Sequence, residues 1–232
     1  YVAGDTSKFF NLPGGPIAFS IGGEYRRETN SYVLDDVTQE GYAFYNAIPS
    51  LVAPAFKVLE GYLELKLPIL KDAPFAEELS LHGSGRIAHY FNATGTVYAY
   101  GGEAIWKPVR DLTFRGTYSR SVRAPNLTEL YSEQGQNFAP GFVDPCSARN
   151  IGTGSTSRAA NCAAAGAPAG YDFVYLSSLE TKNGGNPNLK AEHSNSWTIG
   201  GILEPRWVPG LSLSVDYWNI KVPNVIAAVG AQ

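Results

Sequence analysis

The sequence predicts an all-β fold, specifically a segment of an antiparallel transmembrane β-barrel containing about seven strands. Three observations lead there. Apolar and polar residues alternate with a period of two along seven separate stretches. The links between those stretches are short at one end and long at the other, the asymmetry of an outer-membrane barrel with extracellular long loops. The composition is rich in Gly (25) and Tyr (14) and only 17% charged, which suits turns and aromatic strands better than helix bundles.

The strands follow in order. The first, around residues 15–28, sets Ile17, Phe19, Ile21, Gly23 and Tyr25 against Ala18, Ser20, Gly22, Glu24 and Arg26. The second, around 58–69, sets Leu59, Gly61, Leu63, Leu65 and Leu67 against Val58, Glu60, Tyr62, Glu64 and Lys66. The third, around 79–91, opposes Leu79, Leu81 and Ile87 to Ser80, His82, Ser84 and Arg86. The fourth, around 96–107, alternates less cleanly: Tyr98, Tyr100, Ala104 and Trp106 oppose Val97, Ala99, Glu103 and Ile105. In the fifth, around 112–121, Leu112, Phe114 and Tyr118 oppose Thr113, Arg115, Thr117 and Ser119. The last two oppose Trp197, Ile199 and Leu203 to Ser196, Thr198 and Glu204, then Leu211, Leu213, Val215 and Tyr217 to Ser212, Ser214 and Asp216.

Turns are expected at residues 71–74, 92–95, 108–111 and 205–210, and long links at about 29–56 and 124–192. With antiparallel neighbours, both long links fall at one end. Tyr25, Tyr98, Tyr118 and Tyr217 lie toward that end on the apolar face, and Trp106 and Trp207 toward the other, as interfacial girdles require.

With 18 Lys+Arg against 21 Asp+Glu, the near balance gives no footprint for nucleic acid. No apolar run approaches the roughly 20 residues of a membrane helix, a fact that leaves a barrel open. There is no methionine, and the chain opens on Tyr1-Val2-Ala3-Gly4 without signal-peptide features. Seven strands would leave two open edges that hydrocarbon does not tolerate, so a partial barrel domain over 1–232 is expected, with the remaining strands elsewhere in a parent chain.

Particular strings carry a resemblance. Residues 112–131, reading Leu-Thr-Phe-Arg-Gly-Thr-Tyr-Ser-Arg-Ser-Val-Arg-Ala-Pro-Asn-Leu-Thr-Glu-Leu-Tyr, resemble a strand-and-loop signature of TonB-dependent receptor barrels. So do Asn186-Pro187-Asn188-Leu189-Lys190-Ala191-Glu192, Ser196-Trp197-Thr198-Ile199-Gly200, residues 211–221, and Gly61-Tyr62-Leu63-Glu64-Leu65-Lys66-Leu67-Pro68. The matches run in the family's order over most of the chain. The resemblance implies a barrel of roughly 22 strands with a plugged lumen in a Gram-negative outer membrane. It further implies a small-molecule ligand, such as a ferric siderophore, cobalamin or an oligosaccharide. Energy would come from TonB through a short N-terminal box that, like the plug, is not in this sequence.

Candidate sites are weighed one by one. Cys146 and Cys162 suit a disulfide in an oxidising envelope, closing a loop of about 15 residues and contributing about 3 kcal/mol; the alternative is two free thiols. His82, His89 and His193 lack any Gly-x-Ser-x-Gly elbow, so no nucleophilic triad and no enzyme is expected. Glu60 and Glu64 lie two pleats apart, about 13 Å, too far for acid/base pairing; they read as solvated lumen charges paired with Lys66, Arg86 or Arg115. Asn92-Ala93-Thr94 and Asn126-Leu127-Thr128 match glycosylation sequons that carry no meaning in a bacterial outer membrane. No cofactor or metal site is expected, and ligand-binding residues are unassigned. The long loops supply Tyr42, Phe44, Tyr45, Tyr131, Phe138, Phe142, Tyr171, Phe173 and Tyr175, which could stack on a sugar or aromatic siderophore or simply pack the loops. Active uptake by a receptor leads; a passive porin-type barrel and a secreted soluble β-module are the alternatives.

Overall fold

A computed structural model describes residues 1–43, 46–174, 178–228 and 230. Its strands in chain order are β1 (Val2–Asp5), β2 (Asn11–Leu12), β3 (Gly15–Pro16), β4 (Ala18–Glu28), β5 (Ser31–Tyr32), β6 (Leu51–Val52) and β7 (Phe56–Ala73). They continue with β8 (Ala76–Tyr90), β9 (Gly95–Val109), β10 (Leu112–Arg123), β11 (Gly135–Ala139), β12 (Leu179–Asn183), β13 (Glu192–Leu203) and β14 (Leu213–Lys221). Three short helices, α1 (Asp36–Gln39), α2 (Leu127–Tyr131) and α3 (Arg158–Ala164), lie in the links.

The seven expected strands are β4, β7, β8, β9, β10, β13 and β14. They form one antiparallel sheet in the order β1-β4-β7-β8-β9-β10-β13-β14, with β1 an eighth strand. β1 pairs Val2 with Ile21 and Asp5 with Ala18; four residues are too few to display an alternation. The sheet is open, with β1 and β14 at its two ends.

The turns differ from expectation in detail. β7 runs on to Ala73 and turns through Pro74-Phe75, with Phe75 in the left-handed region. The reason is a bulge: register shifts between Pro68 and Leu70, where proline has no N–H to donate, and the alternation changes phase. Leu70 then faces the same side as its partner Leu79. β9 likewise runs through Val109 and turns at Arg110-Asp111. The β8–β9 turn is closed by Asn92, whose side chain accepts from Thr94 N at 2.9 Å and whose carbonyl accepts from Gly95 N at 3.1 Å. Gly95 takes φ +67° there, which a side chain would resist.

Paired residues in neighbouring strands share a face. One face carries Ile21, Leu63, Tyr100, Tyr118, Trp197 and Val215. These apolar side chains are exposed, Val215 at 68% and Tyr118 at 46%. We call this face outward. The other, inward face carries Ser20, Glu64, Ser84, Gly101, Ser119 and Ser196 along a single register row.

The chain divides into two compact units. The first is Tyr1–Asn30, Ala53–Leu130 and Asn186–Ile226, which holds the sheet. The second contains most of the two long links, Ser31–Val52 and Tyr131–Gly185, with the hairpins β5–β6 and β11–β12, the latter pairing Gly135 with Asn183. Among the described residues no helix is long and apolar enough to cross a membrane, which says nothing about strands.

Candidate functional site

The chemistry of the sheet unit is concentrated on its inward face. Strand alternation delivers a polar residue there from every second position, and ion pairs cross the strands. Glu60 is buried, its side chain only 6% exposed, between Arg86 at 3.0 Å and Arg26 at 3.9 Å. The expected pairing with Arg86 is present, but the expected solvation is corrected: Val58 and Tyr90 flank the site, and burial makes the two guanidiniums necessary. Arg86 also lies over the Tyr62 ring at 5.7 Å. Gly22 makes room for that ring, since any Cβ there would overlap it.

Glu64 and Lys66 carry no ion pair or side-chain hydrogen bond among the described residues, so the expected pairing of Glu64 is not formed. They line a shallow concavity with Ser20, His82, Ser84 and Glu103, floored by Gly101. His82 Nδ1 stands 3.7 Å from Glu103, while its Nε2 is buried with no hydrogen-bond partner among the described residues. Further along, Arg115 grips Asp216 through two bonds of 2.8 and 2.6 Å, an interaction the sequence pattern had not singled out. Thr117–Thr198 and Ser119–Ser196 hydroxyl pairs, at 2.6 and 2.7 Å, continue the polar ladder.

At the long-loop end, the strings behind the family resemblance fold into one knot. Asn126 caps α2: its Oδ1 accepts from Glu129 N at 2.8 Å, and Glu129 Oε2 accepts from Asn126 N at 2.8 Å, a reciprocal capping box. The same Glu129 carboxylate receives Arg123 Nη1 at 3.0 Å. Arg123 also donates Nε and Nη2 to Glu192 at 2.8 and 2.9 Å. Ile226 N donates to Glu192, and Asn186 N donates to Glu129 O at 2.8 Å. Arg123 therefore fastens the end of β10, the start of β13 and α2. Arg123, Asn126, Glu129, Asn186 and Glu192 all lie in the strings that carry the family resemblance, which give no sign that they meet; Ile226 lies outside those strings.

The loop unit is tied differently. Cys146 and Cys162 are disulfide-bonded, with Cα atoms 5.5 Å apart, as expected. Asp144 accepts from Cys146 N and from Tyr171 Oη, each at 2.8 Å. Fully buried Ser147 donates to Phe173 O at 2.7 Å. Arg149 holds Asp172 at 2.6 and 2.9 Å, and that bond keeps the Asp172 carboxyl below its ordinary range. Asp35 is likewise lowered, by the Thr38 hydroxyl and backbone N–H that it caps.

Of the loop aromatics, Tyr42, Phe138 and Phe173 are exposed, Tyr171 is anchored through its hydroxyl, and Tyr131 ends α2. Phe44, Tyr45 and Tyr175 lie outside the described residues. No group of three His, Cys, Asp or Glu side chains could hold a metal among the described residues. His82, His89 and His193 do not converge: His89 bonds Thr96 at 2.8 Å and pairs with Leu59, and His193 sits opposite Val122.

Comparison with known proteins agrees with this architecture. A family model described as "TonB dependent receptor-like, beta-barrel" matches residues 1–232. No curated protein matches the sequence. Among solved structures, the chain is similar to the siderophore receptor PirA from Acinetobacter baumannii, with TM-score 0.57 and 13% identity over 95% of this chain. The match spans 26% of that receptor, so the chain corresponds to about a quarter of its length.

Proposed function

Since the chain belongs to the TonB-dependent receptor β-barrel family, we propose that it forms part of the barrel wall of an outer-membrane active transporter in a Gram-negative bacterium. The cargo is a scarce small molecule: a ferric siderophore first, with cobalamin or an oligosaccharide as the next candidates. Partners are outer-membrane lipid, the cargo, and TonB, which engages a part of the receptor outside these residues. The role is transport and not catalysis.

The observation that carries this reading is the two-sided sheet. One face is apolar yet exposed, and the other is polar and cross-linked by ion pairs. A secreted soluble β-module would bury its apolar side chains against a second layer. Here the apolar face is uncovered and suits lipid. The open edges at β1 and β14 call for further strands of a larger barrel, because hydrocarbon does not satisfy free backbone groups.

The test is uptake by cells carrying the full-length receptor. Radiolabelled ferric siderophore accumulation should require the receptor and vanish in a strain lacking TonB. Uptake that persists without TonB, with ohmic conductance of the purified receptor in planar bilayers, would assign a passive pore instead.

A further inference from the structure

The inward face holds a trench that runs across the strands. Its floor is two neighbouring register rows, one through Ser84, Gly101, Ser119 and Ser196, the other through Glu103, Thr117 and Thr198. Taller groups bound the rows on both sides. Toward the long loops stands Tyr62, with Arg86 over its ring at 5.7 Å. Toward the short turns the Arg115–Asp216 pair, at 2.6 Å, crosses above Gly200, where any Cβ would overlap the carboxylate.

Trp218 closes the β14 end of this trench. It pairs with Thr198 and so faces inward, one position out of phase with the outward Tyr217. Trp218 is 64% exposed, and Ile220, opposite Ser196, is 58% exposed. A strand continuing the sheet would pair with the free edge of β14 and lie beside Trp218, leaving its inward side open. Exposed apolar groups on the outward face meet lipid. On the inward face they meet water, so an uncovered indole set among hydroxyls marks a surface that another molecule covers.

The remainder of the trench offers hydrogen bonds of both senses. The Thr117–Thr198 and Ser119–Ser196 pairs, at 2.6 and 2.7 Å, each use one O–H as donor and leave the other to donate into the lumen. Glu64, Lys66 and Ser84 line the same hollow and carry no side-chain hydrogen bond among the described residues. Its carboxylates, Glu64 and Glu103, outnumber the ammonium of Lys66, which disfavours an anion. Glu103 on β9 and Trp218 on β14 are three strand spacings apart, about 14 Å. Mixed donors and acceptors beside an aromatic plate match a pyranose, whose hydroxyls need both and whose C–H face lies flat on a ring.

Resting on the transporter reading above, we propose that this trench binds a neutral glycosyl group of the cargo within the lumen. The sugar ring stacks on Trp218, while Thr117, Ser119, Ser84 and Glu64 take its hydroxyls. A free oligosaccharide and a glucosylated siderophore both present that chemistry.

The experiment uses the full-length receptor in nonionic detergent, titrated by saturation-transfer NMR. The probes are maltotriose, cellotriose, xylotriose, and a ferric catecholate siderophore with and without glucosyl groups. Heat-modifiable migration first shows that each variant is folded. A sugar-bearing probe should bind better than the bare siderophore. W218A should weaken it about tenfold, and W218F should retain it. The isosteric T117V/T198V should lose about fivefold. W197F, on the outward face of β13, should change nothing. Binding of a trisaccharide supports the site with an oligosaccharide as cargo; binding of the glucosylated siderophore alone supports it with that siderophore. No advantage of any sugar-bearing probe over the bare siderophore overturns the site. So does an unchanged affinity in both W218A and T117V/T198V, which would mean that another part of the receptor covers the trench. A receptor that inserts in the outer membrane and imports its cargo with TonB, yet fails these tests, refutes only the trench; failure to insert refutes the membrane reading itself.

Discussion

The two faces of the eight-stranded sheet share one backbone and differ by a single residue of phase, yet they are stabilised in opposite ways. Outward, aromatic rings meet across strands: Trp106 stacks on Phe114 at 5.5 Å, and Trp197 meets Tyr217 at 5.2 Å. Trp106 also donates its indole N–H to Phe75 O at 2.9 Å, fixing it beside the β7–β8 turn. The Trp106 bond keeps an indole N–H from facing hydrocarbon without an acceptor. Inward, the same strands carry charges: Glu60 meets Arg86 and Arg26 on the two adjacent strands, and Arg115 reaches Asp216 across Gly200. The lesson is that phase, not composition, decides what a residue means here. A leucine is at home outward and a serine inward, one position apart.

The sharpest way to break that comparison is to put one charge on each face at the same height. Leu63→Arg places a guanidinium outward in mid-strand and should cost about 2–4 kcal/mol. Ser84→Arg, on the inward face of the neighbouring strand, should stay within about 0.5 kcal/mol. Urea titration of the full-length receptor folded into lipid vesicles, read by tryptophan fluorescence, measures both. Equal costs would mean that the two faces do not meet different solvents.

The loop unit extends the comparison to a region that lacks this two-faced logic. It is tied by a disulfide and by local polar contacts instead. Cys146→Ser with Cys162→Ser should remove about 3 kcal/mol, the entropy of closing this loop, and only from the segment around residues 144–173. Limited proteolysis should cut there early while the sheet's hydrogen-exchange protection is unchanged. Loss of protection in β10 or β13 would show that the disulfide also supports the barrel.

A smaller effect probes the inward face alone. Glu60→Gln keeps the shape but leaves Arg26 and Arg86 facing a neutral amide in a buried setting, at about 1–3 kcal/mol. Glu64→Gln, without an ion pair or side-chain hydrogen bond among the described residues, should be neutral. If both variants melt alike, the Glu60 cluster contributes no more than a solvated charge.

These contrasts also explain what could be read from the sequence. The seven long strands were legible because a period of two runs through them, plainly from Ala18 to Arg26 in β4 and from Leu112 to Ser119 in β10. β9 shows the limit: its inward side holds Val97, Ala99 and Ile105, so its polarity pattern is weak although its burial alternates cleanly. β1 was invisible at four residues, and the bulge after Pro68 reversed the phase of β7 where the pattern seemed to end. The disulfide was legible from two cysteines in one loop. The Arg123–Glu129–Glu192 knot was not, because residues 69 positions apart carry no periodic signal and meet only once β10 and β13 are paired.

The least effect expected belongs to the loop unit's Arg149–Asp172 pair, and it separates the two regions by pH. Asp172 is held below the ordinary carboxyl value of 3.8, chiefly by its hydrogen bond from Arg149. A carboxyl lowered in the folded state adds stability that is complete above the unfolded value and disappears as pH falls through the folded one. The pair should therefore act fully at pH 5 to 7 and fail only below about pH 3.8. Both groups are exposed, so the change is small and screened by salt. Hydrogen exchange at Ala148 and Phe173, whose amides flank the pair, should quicken on acidification below that point in the native protein. In Asp172→Asn the same amides should exchange at a rate independent of pH beyond the intrinsic chemistry. An acid response that survives Asp172→Asn would place the titration elsewhere in the loop.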